Sequence, residues 1–316
     1  MDPRIGSLRS CRRPCPPEPV VGAPFQQQDP GPARANSSTP PMETKNQSVA
    51  FRWEKELTPL VESSFDRLIP NPAQGAPDLL AAEIPAAVGV VDLLGVKVRT
   101  DAVAIRERLG VGPICSPLRI RVLDLLAAGQ IKNISTLARR LGSSERSLRS
   151  STLVPLGELG LIELHGPQVH STGCWMPIGE AVTAVELKLS KWRSALRQAD
   201  NFSLSADHSW VVLDQARAKG AQDRQDLFRA LGVGLATIDE AGAIRTLVRP
   251  RLRPPTRWLK ALIAERAWAV GQALSEKTQP GIEKTSSRAL LHEGRQPFPE
   301  ANCVFQSGAN RGFSLS

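Results

Sequence analysis

Residues 79–98 form the greasiest stretch of this chain, and four residues inside it decide between membrane and core. Glu83, Pro85, Asp92 and Lys97 interrupt the apolar run. Charges at that depth cost too much for a lipid span, so the stretch predicts buried strands and a soluble chain with no membrane partner. Two β-rich runs are expected, 79–84 and 88–98, joined through Pro85. Asp92 lies among Val90, Val91, Leu93 and Leu94. An unpaired carboxylate there would be costly, so it needs a partner, either a metal ion or a lysine.

The periodicity downstream predicts an α/β fold. Leu57, Leu60, Val61, Ser64, Phe65 and Leu68 make a helical stripe that ends near Pro70 and Pro72. Helices are expected over 116–128, 134–141 and 144–159, a strand over 181–189, and an amphipathic helix over 190–206. That last helix would turn Trp192, Ala195, Leu196, Ala199 and Phe202 inward. A strand over 210–213, a helix over 223–231 and a strand over 233–238 follow. The turn Asp239 to Gly242 leads into a returning strand that ends at Val248.

The 316 residues allow two compact domains with tails. Residues 1–49 carry ten prolines, a glutamine run and few large apolar side chains, so they are expected to be a disordered Pro-rich tail. Met42 is an alternative start to Met1. Residues 266–316 are expected to form a mostly disordered C-terminal tail. The five cysteines are scattered with no CxxC pair, which fits a reduced, cytoplasmic setting better than a disulfide or zinc framework.

A formal net charge of +9 favours a polyanionic partner, nucleic acid first. Six basic residues and no acid lie between Ala243 and Ile263: Arg245, Arg249, Arg251, Arg253, Arg257 and Lys260. They suit a phosphate track or a merely solvated face equally.

Residues 111–178 have the grammar of a DNA reader. Leu118, Val122, Leu125 and Leu126 give a first helix its packing face, and Ile134, Leu137, Ala138 and Leu141 a second. Gly142 allows the tight turn between helices, and Ser143 or Ser144 can cap the third. Pro155 should bend that helix after its early turns. Gly166, Pro167 and Gly173 mark turns of a strand pair, with His165 and His170 as phosphate-facing candidates. The pattern ISTLARRLGSSERSLRSSTLVPLGELGLIEL resembles the winged helix family. The resemblance implies DNA binding, with Arg146, Arg149 and Ser150 at bases or backbone and Arg139 and Arg140 at phosphates. Three small helices that serve protein contacts are the alternative.

Around that segment, VELKL places Glu186 and Lys188 on one face of a strand, because side chains alternate with period two. Two carboxylates on adjacent strands can hold a hard divalent ion, and a lysine beside them can orient or deprotonate water. The alternative is that Glu186 and Lys188 are a surface ion pair, against which stands the apolar setting of Asp92. The order of helix, strand pair with Asp92, strand with Glu-x-Lys, helix and strand resembles the PD-(D/E)xK nuclease superfamily. KWRSALRQADNF resembles the Q-x-x-x-Y element of some branches, with Phe202 in place of tyrosine. Val91 stands where the motif has proline, and the distance from Asp92 to Glu186 is far longer than usual.

The resemblance implies a restriction-endonuclease-like mixed sheet in two parts, 50–110 and 179–265, with the winged helix inserted between them. It makes Asp92 and Glu186 ligands of Mg²⁺, Lys188 the water-positioning base, and Gln198 a support of the site or the DNA backbone. Glu54, Glu56 and Glu62 compete for an acid on the first helix. Lys191, Arg193 and Arg197 would track phosphates near the cut. A Mg²⁺-dependent DNA endonuclease is therefore expected. The alternative is a DNA-binding transcriptional regulator whose inactive core is scaffold or homodimer surface.

Overall fold

A computed structural model of the chain describes residues 51–278, apart from 72, 74 and 128–131. The expected N-terminal tail, Met42 and everything beyond 278 lie outside the described residues. The fold is α/β, with one six-stranded mixed sheet among the described residues and helices on its faces.

The sheet begins with β1 (Leu79–Pro85) and β2 (Val90–Val98), antiparallel to each other. Strand β2 pairs antiparallel with β5 (Gly179–Lys188), although some eighty residues separate them in the chain. Strands β5, β6 (His208–Asp214) and β7 (Gly234–Ile238) run parallel, and β8 (Ile244–Val248) returns antiparallel at the edge. The parallel strands β6 and β7 are buried on both faces, which is why they are largely apolar. Every residue of β6 is buried.

One face packs on α1 (Leu57–Ser63) and the 3₁₀ turn Phe65–Leu68, with Leu57, Val61, Phe65, Leu93, Val185, Leu187, Trp210 and Val212 in that core. The expected single helix breaks at Ser64. Gly95 and Gly234 let Phe65 and Trp210 lie flat on the sheet: a Cβ would fall 2.3 Å from the Phe65 ring and 2.4 Å from the Trp210 ring. The opposite face is covered by α7 (Trp192–Phe202), α8 (Lys219–Gln222), α9 (Gln225–Leu231) and α10 (Arg257–Thr278).

Helix α10 continues past the expected domain boundary at 265 as far as Thr278, and the rest of the expected tail lies outside the described residues. Ala261 and Leu262 of α10 enter the core of the inserted segment, while Ile263, Ala264, Ala267 and Trp268 enter the sheet core. Two apolar stripes on one helix serve two separate cores, so no single stripe of period 3.6 marks the helix in sequence.

Between β2 and β5 the chain forms α2 (Thr100–Arg108), α3 (Pro117–Ala127), α4 (Ile134–Leu141), α5 (Glu145–Leu148), a π-helical stretch Arg149–Leu153, α6 (Val154–Glu158) and a hairpin of β3 (Ile162–His165) and β4 (Gln168–Ser171). Helix α2 was not expected, because it buries only Ala102 and Arg106. Asn133 caps α4, whose end is closed by left-handed Gly142, and Ser144 caps α5. The widened turn before Pro155 replaces the expected bend: the proline sits at the start of α6, where its missing N–H costs little. The helices and hairpin share a core of their own, including Ile120, Leu123, Leu137, Leu148, Leu156 and Trp175.

Candidate functional site

The alternation of β2 and β5 sends Leu93, Val185 and Leu187 toward α1, so Asp92, Glu186 and Lys188 turn to the other face. The antiparallel register pairs Leu93 with Val185, which sets Asp92 beside Glu186 one step further along. The Lys188 ammonium lies 2.9 Å from Glu186 Oε1 and 3.7 Å from Asp92 Oδ2. A third carboxylate comes from outside the sheet. Glu54, in the 3₁₀ turn Glu54–Glu56 that leads into α1, brings Oε2 to 3.3 Å from the same nitrogen. Lys188 also donates to the Leu187 carbonyl at 3.1 Å.

Each carboxylate has a different surrounding. Asp92 Oδ2 accepts the Leu187 backbone N–H at 2.7 Å, which fixes it against β5. Glu186 is 1 % exposed, and its contact with Lys188 has the length of an ion pair without the angles of a directed hydrogen bond. Its Oε2 accepts no hydrogen bond among the described residues. Burial, then the Asp92 charge, push the Glu186 carboxyl up to about 7, against the pull of Lys188. Burial also raises Asp92, with Glu83 and Glu54 adding to it, while the Leu187 amide and Lys188 pull the other way. Burial works against the charge of Lys188, but Glu186, Asp92 and Glu54 outweigh it and hold the amine above its ordinary value.

These shifts have a consequence for stability. Glu186 binds its proton more tightly folded, at about 7, than at its ordinary 4.5. Its favourable contribution is therefore complete below 4.5 and is lost as the pH rises through about 7. Glu186→Gln is expected to raise the melting temperature at pH 8 in EDTA, by an amount equivalent to at most about 3 kcal/mol. Little gain is expected at pH 4.5. Thermal unfolding followed by circular dichroism checks this, and a lower melting temperature at pH 8 would contradict it.

Of Glu54, Glu56 and Glu62, Glu54 is the one that reaches Lys188. Glu56 instead accepts the backbone N–H groups of Arg52 at 2.9 Å and Trp53 at 3.3 Å, and Glu62 is exposed. Glu83, whose charge acts on Asp92, holds φ at 55° on β1, a left-handed conformation uncommon for a residue with a Cβ. Its one sequence signal is a charge in an otherwise apolar strand. Gln198 is half-buried on α7 and makes no side-chain hydrogen bond among the described residues; it is not one of the groups touching Lys188. Among the described residues no three His, Cys, Asp or Glu side chains are spaced to hold a metal ion. The three acids meet through the lysine, not directly.

The other candidates form a separate region on the inserted segment. Arg139, Arg140 and Arg146 are exposed and make no ion pair among the described residues. Arg149 is half-buried and donates to the Gly166 carbonyl in the hairpin turn at 2.6 Å, so part of its guanidinium fastens the hairpin to the π-helical stretch. The Ser150 hydroxyl donates back to the Arg146 carbonyl at 3.0 Å. His165 pairs with Glu163 at 3.2 Å and stands edge-on to His170, 5.4 Å between rings.

The basic run after Ala243 is mostly engaged. Arg253 pairs with Asp200 at 2.6 Å, Arg257 with Asp124 at 2.8 Å, and Lys260 with Asp207 at 2.8 Å. Arg251 donates to the carbonyls of Arg229 and Ala230 at the end of α9. Arg245 and Arg249 are exposed. Four of the six basic residues thus brace acids or helix carbonyls, and Arg245 and Arg249 form no ion pair among the described residues.

Compared with known proteins, the chain matches no family model, no curated protein and no solved structure. Among the described residues no helix is long and apolar enough to cross a membrane.

Proposed function

We propose that this protein is a metal-dependent DNA endonuclease, with a PD-(D/E)xK-like core into which a winged helix reader is inserted between β2 and β5. The observation that carries the reading is the convergence of Glu54, Asp92 and Glu186 on the Lys188 ammonium, all within 4 Å, from three separate parts of the chain. Chance surface pairs do not bury a carboxylate to 1 % exposure and leave one of its oxygens without a donor. Such a group costs stability unless something else binds it, and costs of that kind concentrate at functional sites.

Two of the acids, Asp92 and Glu186, are the kind of donor a hard divalent ion takes, with water and phosphate left to fill the rest of its shell. They offer carboxylate oxygens side by side, and Mg²⁺ commonly takes one or two protein carboxylates. When bound, Mg²⁺ supplies charge neutralisation at the phosphate and a more acidic water. The chain's own residues do the rest. Lys188, held as an ammonium, donates hydrogen bonds and orients a water or a phosphate oxygen; its raised pKa favours that role over proton removal. Asp92, tied to the Leu187 amide, cannot swing away from β5. Gln198 and the exposed Lys191, Arg193 and Arg197 lie on or beside α7, on the same sheet face, where they can meet the sugar-phosphate backbone.

The exposed Arg139, Arg140 and Arg146 support the reader. The capped α5 that carries Arg146 begins just after the tight turn at Gly142, which suits insertion of its first residues into a groove. A supercoiled plasmid with Mg²⁺ tests the whole reading. Nicking is expected, with Glu186→Ala and Asp92→Asn losing it while plasmid binding persists. Binding without nicking by the wild type favours a regulator with an inactive core. Absence of binding at low salt removes both readings.

A further inference from the structure

Beside the carboxylate cluster an open cleft of about 610 Å³ is lined by Arg52, Trp53, Glu54, Lys55 and Leu189. It shares Glu54 with the cluster, and Leu189 directly follows Lys188, so cleft and cluster have a common wall. Trp53 is 54 % exposed. Leaving so large an apolar ring in water forfeits much of the burial energy an indole usually supplies, unless a ligand covers it.

The ring is presented on a braced backbone. Glu56 accepts the N–H groups of both Arg52 and Trp53, and its own N–H donates to the Trp53 carbonyl at 3.1 Å. The indole thus stands on a fixed turn while its side chain stays accessible. The Arg52 guanidinium lies 5.4 Å from the ring centroid, and neither Arg52 nor Lys55 forms an ion pair among the described residues. The cleft therefore combines an aromatic surface with Arg52 over one of its faces, an apolar wall and two cations without ion pairs among the described residues, next to a hydrolytic candidate.

We infer that this cleft holds an unpaired nucleobase stacked on Trp53, its flanking phosphates met by Arg52 and Lys55, so the preferred substrate carries single-stranded nucleotides beside the cut. The inference deepens the nuclease reading and rests on it. A base inside a duplex hides both π faces against its neighbours, whereas an unpaired base offers one to an indole. The site is tolerant of sequence, because every base has a π face, and sequence choice is left to the separate inserted segment. Single-stranded DNA, an overhang, a flap or a gap meets the requirement; an intact blunt duplex does not.

The test uses the full chain and two readouts. Fluorescence anisotropy in EDTA measures binding of a labelled single-stranded oligothymidine and of a blunt duplex. Trp53→Ala is expected to weaken single-strand binding roughly 5- to 150-fold, the range that loss of one stacked base produces. Trp53→Phe should recover much of that loss, and duplex binding should be unchanged in both. Equal single-strand affinity for the wild type and Trp53→Ala overturns the inference, as does an equal loss on duplex. Cleavage with Mg²⁺ is then compared on a flapped and a blunt duplex. Preference for the flap, lost in Trp53→Ala, is the expected result. If the wild type cuts neither DNA while Trp53→Ala still loses single-strand binding, the nuclease reading falls and the stacking site stands.

Discussion

Lys188→Met is expected to reduce plasmid nicking by at least about 100-fold, the lower end of what a positioned proton-transfer or hydrogen-bonding group contributes. The methionine keeps most of the unbranched side chain and removes the cation that three carboxylates share. Without it, Glu54, Asp92 and Glu186 repel one another, and Glu186, already raised to about 7, answers by taking up a proton rather than unfolding the strand. The folded protein should therefore persist, which separates a chemical defect from a structural one. Initial nicking rates and near-ultraviolet circular dichroism, measured on the same preparation, make the comparison. Lys188→Arg keeps the charge but not the compact ammonium, so its activity should fall as well, by less. A methionine variant that nicks at the wild-type rate would remove Lys188 from the site.

Glu265→Ala is expected to cost about 3–5 kcal/mol of stability, the penalty for stranding a buried charge by removing its partner. Arg106 on α2 and Glu265 on α10 are both 0 % exposed and form a two-pronged pair at 3.1 and 3.2 Å. The pair also clamps the chain between α2 and α3. Glu265 accepts the Ile114 N–H at 2.7 Å, and Arg106 donates to the carbonyls of Val111 and Gly112. Trp268 covers the guanidinium at 5.5 Å from its ring centroid. Loss of the carboxylate leaves the buried guanidinium without its counter-charge, with only the Val111 and Gly112 carbonyls to donate to, and strands the Ile114 amide. Urea unfolding gives the midpoint shift. The double variant Arg106→Met with Glu265→Met should lie closer to wild type than Glu265→Ala does, because both buried charges go together. A wild-type midpoint for Glu265→Ala would mean that the clamp is dispensable.

The two pairs differ in how readable they are. Glu186 and Lys188 are two apart in one strand, so period-two alternation alone puts them on one face, and the apolar neighbours of Asp92 announce that it needs a partner. Arg106 and Glu265 are 159 positions apart, each in a helix whose apolar pattern is weak or double. No local rule joins them. The same limit governed Glu54: three acids compete within nine residues, and only the way α1 docks on the sheet selects the one that reaches Lys188. It governed the basic run too, where Arg253, Arg257 and Lys260 find acids supplied by distant elements.

Local chemistry in the chain, then, determined the strands, the capped helices at Ser144 and Asn133, the turn at Gly142 and the face shared by Glu186 and Lys188, because each depends on neighbours within a few residues. Tertiary structure alone decided that β2 and β5 lie side by side across the inserted segment, that Glu54 completes the carboxylate cluster, and that α10 serves two cores. Those outcomes depend on which surfaces are buried against which, and the free energy of burial is set by distant partners that no stretch of sequence contains.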